Sequence, residues 1–382
     1  MKYNREFSNF KNDYIFAKLK KTAEEMKRQG KEVVDLGVGD LSLPLFPVAV
    51  EEMIKSVKEL GEKRSFTGYP PAEGLLSLRE KISLDYGDLG ISPSEIFISD
   101  GAKSDVGNLL DLFGTGISVL VPTPAYPAYA EANLFAGNKV TFLPCFKEDD
   151  FIPIPPVGKI FDVIYLCSPN NPTGSAFDKR TLSRWINYAL STGAVVLYDG
   201  AYCDFASENE VKSVYEIKNA EYCAVEIRSF SKSFGFTGVR CGYCVIPETL
   251  GEYNRLWKRR LSFRFNGVSV ISQKGAEAYF SEEGRAAVKK RINYYKNNAE
   301  IIKIALKKKN LWYNNSCSSP YVFAKTPEGF SSEEFCDRAI KKFGIVLTPG
   351  NSFGEGGEGF FRISAFPERD KILKAVEITD KY

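Results

Sequence analysis

The chain of 382 residues contains no histidine. That absence excludes every site built on imidazole: histidine–zinc centres, Ser–His–Asp and Cys–His catalysis, and histidine acids or bases. Proton transfer must fall to other groups, and lysine is the obvious substitute. Long apolar runs are missing too. No stretch approaches the roughly 18 residues that argue for a membrane span, and the N-terminal MKYNREFSNFKNDY lacks the apolar centre of a secretion signal. A cytoplasmic protein that does not enter a membrane is expected. The formal charge is only +3, with no basic stripe of interleaved aromatics, so nucleic acid is not an expected partner. The eight cysteines sit mostly inside apolar segments (Cys167, Cys203, Cys223, Cys241 and Cys244 among them), which suits reduced, buried thiols. Cys241-Gly242-Tyr243-Cys244 has the C-x-x-C spelling, but residues i and i+3 of a strand face opposite sides of a sheet. No metal or redox pair is expected there.

Hydrophobic content of 44% with 26% charge is that of a soluble globular chain, long enough for two domains. Seven short β-rich runs recur between residues 96 and 247: IFISD, SVLVP, KVTFLP, VIYLCSP, VVLYDGAY, AVEIRSFS and GYCVIP. Their continuous apolar character predicts strands buried on both faces. Helical periodicity in the intervening KSDVGNLLDLFG and KRTLSRWINYALSTG predicts an α/β fold, with a mostly parallel seven-stranded sheet in a large domain. Beyond about residue 275 come long helices and then PYVFAK, GIVLTPG and GFFRISAF, the strands of a smaller α+β domain. The expected division is 1–40 as an N-terminal arm and part of the small domain, 41–280 as the large domain, and 281–382 as the small domain. Phe146–Gly158 reads as a loop, and the glycine-rich Gly354–Gly359 run as a mobile or tight loop near Arg362.

Ligands of such folds bind beyond the carboxyl ends of the strands, where the unusual motifs fall. In SFSKSFGFTGVRCG, Lys232 ends an apolar run among hydroxyls and glycines, eight residues before Arg240. Asp100-Gly101-Ala102-Lys103 follows a strand and opens a helix, a position that favours phosphate. Ser229 and Arg240 add groups of the same use. Tyr126 follows a strand end, well placed to stack on a flat ring. Ser168-Pro169-Asn170-Asn171-Pro172-Thr173-Gly174 is a rigid turn that aims an amide at a ligand. Asp199 closes a buried strand and needs a cationic partner such as a protonated pyridine nitrogen, with Tyr202 three residues on. Lysine for an aldehyde, acid for a ring nitrogen, donors for a phenolate, an aromatic for a face and a phosphate cradle together describe pyridoxal 5′-phosphate. Lys232 would then be nucleophile and proton shuttle.

These residues resemble those of the class I/II aminotransferases of fold type I. S-x-S-K followed by G-x-R-x-G is specific for that superfamily, and the match runs from Tyr14 to Phe366. DGAKSD, GFTG, FNGVSVISQ, PYVF and TPGNSFGEGGEGFFRISAF are similar to the subgroup acting on LL-diaminopimelate. The resemblance implies Lys232 as the aldehyde-binding lysine, Asp199 at the ring nitrogen, Asn171 and Tyr202 at the phenolate oxygen, and Tyr126 on the ring. It implies Ala102, Lys103, Ser229 and Arg240 at the phosphate. Arg362 would grip the substrate α-carboxylate with Gly37 beside it, and Asn171 and Lys103 would also face the substrate. Tyr69 at the phosphate, and Tyr14 and Asn266 at the substrate, would enter from the second subunit of a homodimer. One segment departs: in TGYPPAEG, Ala72 stands where the subgroup has a substrate-contacting glutamate, with Glu73 one position along. Losing such a contact typically costs about 1.5–3 kcal/mol of discrimination. Transamination of amino acid and keto acid substrates is therefore expected, on diaminopimelate or on another α-amino acid. A pyridoxal-phosphate C–S lyase is a further alternative, and a cofactor-fold sensor module a remote one.

Overall fold

A computed structural model describes residues 15–315 and 318–380. In chain order its strands are β1 (Val34–Asp35), β2 (Ile96–Ser99), β3 (Ser118–Thr123), β4 (Lys139–Pro144), β5 (Val163–Cys167), β6 (Val195–Asp199), β7 (Ala224–Ser229), β8 (Gly242–Val245), β9 (Tyr321–Lys325), β10 (Ile345–Val346), β11 (Thr348–Pro349) and β12 (Phe360–Ser364). Seven of them form one sheet in the order β2-β8-β7-β6-β5-β3-β4, with β8 alone antiparallel to its neighbours. The fold is α/β with a mostly parallel seven-stranded sheet, as the alternation of runs predicts.

Strand periodicity decides which side chains go to which layer. Ile98, Leu120, Ile164, Leu166, Val196 and Tyr198 pack on one face, against Leu182, Trp185 and Ile186 of the helix Lys179–Thr192. Phe97, Val119, Val121, Tyr165, Leu197 and Ile227 pack on the other, against Leu109, Trp257 and Leu261. The helix on the first face is delimited by its own sequence: Asp178 caps it by accepting from the Thr181 amide at 2.7 Å, and Gly193 ends it at φ +77°. One expectation fails. Among the described residues β4 is an edge strand of the sheet, and it leaves Phe142 exposed. Its apolar spelling does not distinguish an edge from a centre.

Cys241 and Cys244 lie in opposite core layers, so the C-x-x-C spelling brings no thiol pair together. All seven described cysteines are free. Among the described residues no helix is long and apolar enough to cross a membrane, and no cluster of His, Cys, Asp or Glu would hold a metal ion.

A second, antiparallel sheet runs β11-β12-β9, and β1 pairs in parallel with β10. Val34, Leu36, Val322, Ile345 and Ile363 share its core with Ile302 and Leu306 of the helix Glu282–Lys308. β12 thereby carries Arg362 toward the carboxyl edge of the large sheet. The Gly354–Gly359 loop closes against β3: the Ala125 amide donates to the Phe353 carbonyl at 2.8 Å, and a Cβ at Gly356 would lie 2.5 Å from the Cys145 carbonyl.

Candidate active site

Strand direction gathers the site. The parallel strands β2, β3, β5, β6 and β7 end on one edge, and the reversed β8 begins there. The residues after β2 and β7 and before β8 therefore meet. β3 and β5 pair only over Val119–Leu120 and Val163–Ile164. Chain order runs outward from β3 to β4 and the other way from β5 to β7, and the crevice falls at that reversal.

A cavity of about 390 Å³ occupies this edge, within the size range of small-molecule sites. Ten of the residues singled out from the sequence line it: Ala102, Lys103, Tyr126, Asn171, Asp199, Tyr202, Ser229, Lys232, Arg240 and Arg362. Gly37 lies just behind, its carbonyl accepting from Arg362 Nη2. Tyr69 and Asn266 do not line it and are exposed. Tyr14 lies outside the described residues. Ala72 is partly buried against the second core layer and does not line the cavity. The carboxylate of Glu73 is 3.4 Å from Arg79 Nη1, so it is already engaged.

Lys232 sits in a loop anchored by aromatic packing. Phe230, Phe234 and Phe236 are buried together with Tyr279, with ring centroids 5.0 to 6.4 Å apart. Lys232 Nζ donates to the Gly39 carbonyl and lies 5.3 Å above the Phe366 ring. A Cβ at Gly39 would collide with the Tyr321 hydroxyl, so only glycine brings this carbonyl so close.

Asp199 is buried at the end of β6. Burial raises its pKa; hydrogen bonds from the Tyr129 hydroxyl, at 2.6 Å, and the Ala201 amide, at 2.9 Å, oppose that rise. The Tyr202 hydroxyl lies 3.0 Å from that of Tyr321, and burial pushes the Tyr202 phenol well up, keeping it a donor. Arg240 has φ +65°, a backbone conformation rare outside glycine and concentrated at functional sites. Its guanidinium passes beside Gly101, where a Cβ would collide with it, and Nη1 donates to the Thr237 carbonyl at 3.1 Å. At Gly242 a Cβ would lie 2.7 Å from the Arg228 carbonyl and 3.0 Å from Gly101 Cα. The cradle formed by Gly101, Ala102, Ser229 and Arg240 is thus kept open by glycine.

Arg362 is 1% exposed. Its Nη1 donates to Asn171 Oδ1 at 2.7 Å, and its guanidinium carbon lies 4.3 Å from the Tyr321 ring centroid and 5.0 Å from that of Phe353. The fork is fixed in direction by these neighbours.

Sequence reading passed over Tyr129, Tyr321, Gly39, Ser231 and Thr237, all of which line the cavity. A second tyrosine one helical turn after Tyr126, in YPAY, was the available signal for Tyr129. Tyr321 gave none beyond its place in PYVF.

A buried acid, a lysine, a tyrosine ring and a glycine-lined cationic cradle around one cavity are the groups that a pyridoxal-phosphate enzyme would need. The profile of the family described as aminotransferase class I and II matches residues 31–378, and the chain belongs to that family. It is an aminotransferase, and it depends on pyridoxal 5′-phosphate as that family does. Among its relatives is the LL-diaminopimelate aminotransferase of Parabacteroides distasonis, 40% identical over 98% of this chain and 97% of that protein. That of Bacteroides thetaiotaomicron is 41% identical over the same shares. The solved L,L-diaminopimelate aminotransferase of Chlamydomonas reinhardtii superimposes with a TM-score of 0.94 at 32% identity, covering 100% of this chain and 98% of that one.

Proposed function

We propose that the chain transfers the amino group between glutamate and tetrahydrodipicolinate, forming LL-diaminopimelate and 2-oxoglutarate in lysine biosynthesis. The observation that carries the reading is the 40–41% identity, over nearly the whole length, to enzymes of that name. It is joined to a cavity lined by the cofactor- and carboxylate-binding residues that such a reaction needs.

When bound, the cofactor supplies the aldehyde that accepts the amino group and the electron sink that labilises the substrate Cα–H. This chain's residues do the rest. Ala102, Lys103, Ser229 and Arg240 would hold the phosphate, Tyr126 the ring face, and Asn171 and Tyr202 the ring oxygen. Asp199 presents its carboxylate to the ring nitrogen. Arg362 receives the substrate carboxylate on its fork, releasing Asn171 Oδ1 as it does so. Lys232 leaves the Gly39 carbonyl and moves the proton at Cα.

The working unit is a homodimer in the cytoplasm, with the domain division at residues 1–40, 41–280 and 281–382. Support for pairing lies in one surface: Tyr69 is 86% exposed, with Phe66 and Phe263 also exposed. The Asn266–Gly267 turn packs on Pro70–Pro71, where a Cβ at Gly267 would lie 2.7 Å from the Pro71 carbonyl. Tyr69 and Asn266 therefore share a patch that reaches the cavity of a second copy, as Tyr14 would.

A second reading, transamination of a different α-amino acid, rests on Ala72 facing the cavity of a second copy as its neighbour Tyr69 does, because Glu73 is held by Arg79 and does not replace the missing acid. Absorbance of the purified holoenzyme separates the two. Loss of the aldehyde band with glutamate and with LL-diaminopimelate is expected. No change with LL-diaminopimelate, alongside a full change with another amino acid, overturns the substrate. Ala72→Glu should raise kcat/KM for LL-diaminopimelate by roughly tenfold to a hundredfold.

A further inference from the structure

Tyr129 lies in the helix Ala128–Phe135. It is almost wholly buried, yet it lines the cavity wall, and its hydroxyl donates to Asp199 Oδ2 at 2.6 Å. The other oxygen, Oδ1, accepts from the Ala201 amide at 2.9 Å. One donor on each oxygen leaves each with a further lone pair. The carboxylate is thus pinned in orientation without being used up.

Tyr129 is itself held from several directions. Its ring stacks on that of Tyr165, with centroids 5.0 Å apart and planes 21° apart. Asn133 Nδ2 donates to the Tyr129 carbonyl at 2.7 Å and to the Tyr165 hydroxyl at 3.1 Å, and Asn138 Nδ2 donates to Asn133 Oδ1 at 3.0 Å. Simple core packing does not need this buried polar chain, and a hydrogen bond to a buried carboxylate does.

The direction of that bond is fixed. A buried phenol beside a carboxylate is held protonated, and burial followed by the charge of Asp199 pushes Tyr129 well above the usual tyrosine range. Cys167, the other polar group against the pair, is likewise kept neutral by burial and by Asp199. Asp105 also feels the charge of Asp199, from the helix after β2. With no histidine in the chain, no imidazole can supply this donor.

We propose that Tyr129 is a positioning residue, which orients Asp199 and keeps it anionic toward the ring nitrogen of pyridoxal phosphate. It acts through Asp199 and touches neither substrate nor reacting atoms. Tyr129→Phe retains the ring and its stack on Tyr165 and removes only the donor. A hydrogen bond to a charged group is worth enough that cofactor dissociation should rise roughly tenfold to a hundredfold. In turnover, kcat should fall while KM for the amino acid changes little.

Two readouts separate positioning from packing. In cofactor-free protein carrying carboxyl-labelled aspartate, carbon NMR should find the Asp199 titration moved to higher pH in Tyr129→Phe. In an Asp199→Asn background, Tyr129→Phe should weaken cofactor binding no further, since the partner charge is gone. An unmoved Asp199 titration, or an equal loss of affinity in both backgrounds, overturns the proposal. Should Tyr129→Phe not fold, 3-fluorotyrosine at position 129 keeps the shape and strengthens the donor. The Asp199 titration should then move to lower pH, and no movement refutes the assignment.

Discussion

Replacing Arg362 by lysine tests its proposed recognition of the substrate carboxylate separately from the handling of the cofactor. The arginine projects from β12 with its plane set by Tyr321 and Phe353, its Nη1 on Asn171 and its Nη2 on the Gly37 carbonyl. A carboxylate entering along that fork meets two N–H groups in parallel. Lysine preserves the charge as a single point and grips one oxygen. The difference is one charge-assisted hydrogen bond, about 1.5–3 kcal/mol. At about 1.4 kcal/mol per factor of ten, kcat/KM should fall by roughly tenfold to a hundredfold. The loss should sit mainly in KM, because the carboxylate does not change charge during the reaction. It should be shared by glutamate, 2-oxoglutarate and the second substrate pair, while the absorbance of the resting holoenzyme stays the same. Steady-state kinetics on both pairs, with the spectrum recorded on the same preparation, is the assay. A kcat/KM within about twofold of wild type, or a loss confined to one substrate, would refute the carboxylate role.

Gly101→Ala, whose Cβ would collide with Arg240 at φ +125°, should displace the guanidinium from the cradle and weaken pyridoxal phosphate binding roughly tenfold or more; unchanged affinity in an absorbance titration would contradict the phosphate assignment. Asp105 is 1% exposed, and burial pushes its carboxyl from 3.8 up to about 8, against a hydrogen bond from Ser99 Oγ at 2.5 Å. Over that window the folded protein holds a proton that the unfolded chain has released, so this group's contribution to stability is lost as pH rises from about 4 to 8. Asp105→Asn should therefore show a shallower decline of melting temperature across that range than wild type; parallel declines would refute the buried, protonated carboxyl.

The fold was legible because both of its signals are local. Apolar runs such as VVLYD become strands, and Asp178 and Gly193 delimit their helix wherever it packs. That the candidate residues line one cavity was legible for a related reason. Each member follows or precedes a strand at the carboxyl edge, so parallel topology alone brings together Ala102, Asn171, Asp199 and Lys232. What stayed hidden depends on contacts between distant segments. Gly39 is required because Tyr321, far along the chain, occupies the space of its Cβ, and nothing near either residue says so. Tyr129 looks like any core aromatic until its hydroxyl is seen on Asp199. The exposure of β4 is equally invisible, since an edge is a property of sheet order. Ala72 is the converse case: a sequence departure was plain, and the engagement of Glu73 by Arg79 gave it meaning.

Lys232 is the residue proposed to hold the cofactor at the edge of the large sheet. Borohydride reduction of the holoenzyme followed by peptide mapping tests this directly. The pyridoxyl phosphate mass is expected on the peptide containing Lys232, and none on that containing Lys103. Stoichiometric modification of Lys103, or of any lysine outside the cavity, with Lys232 unmodified, would contradict it.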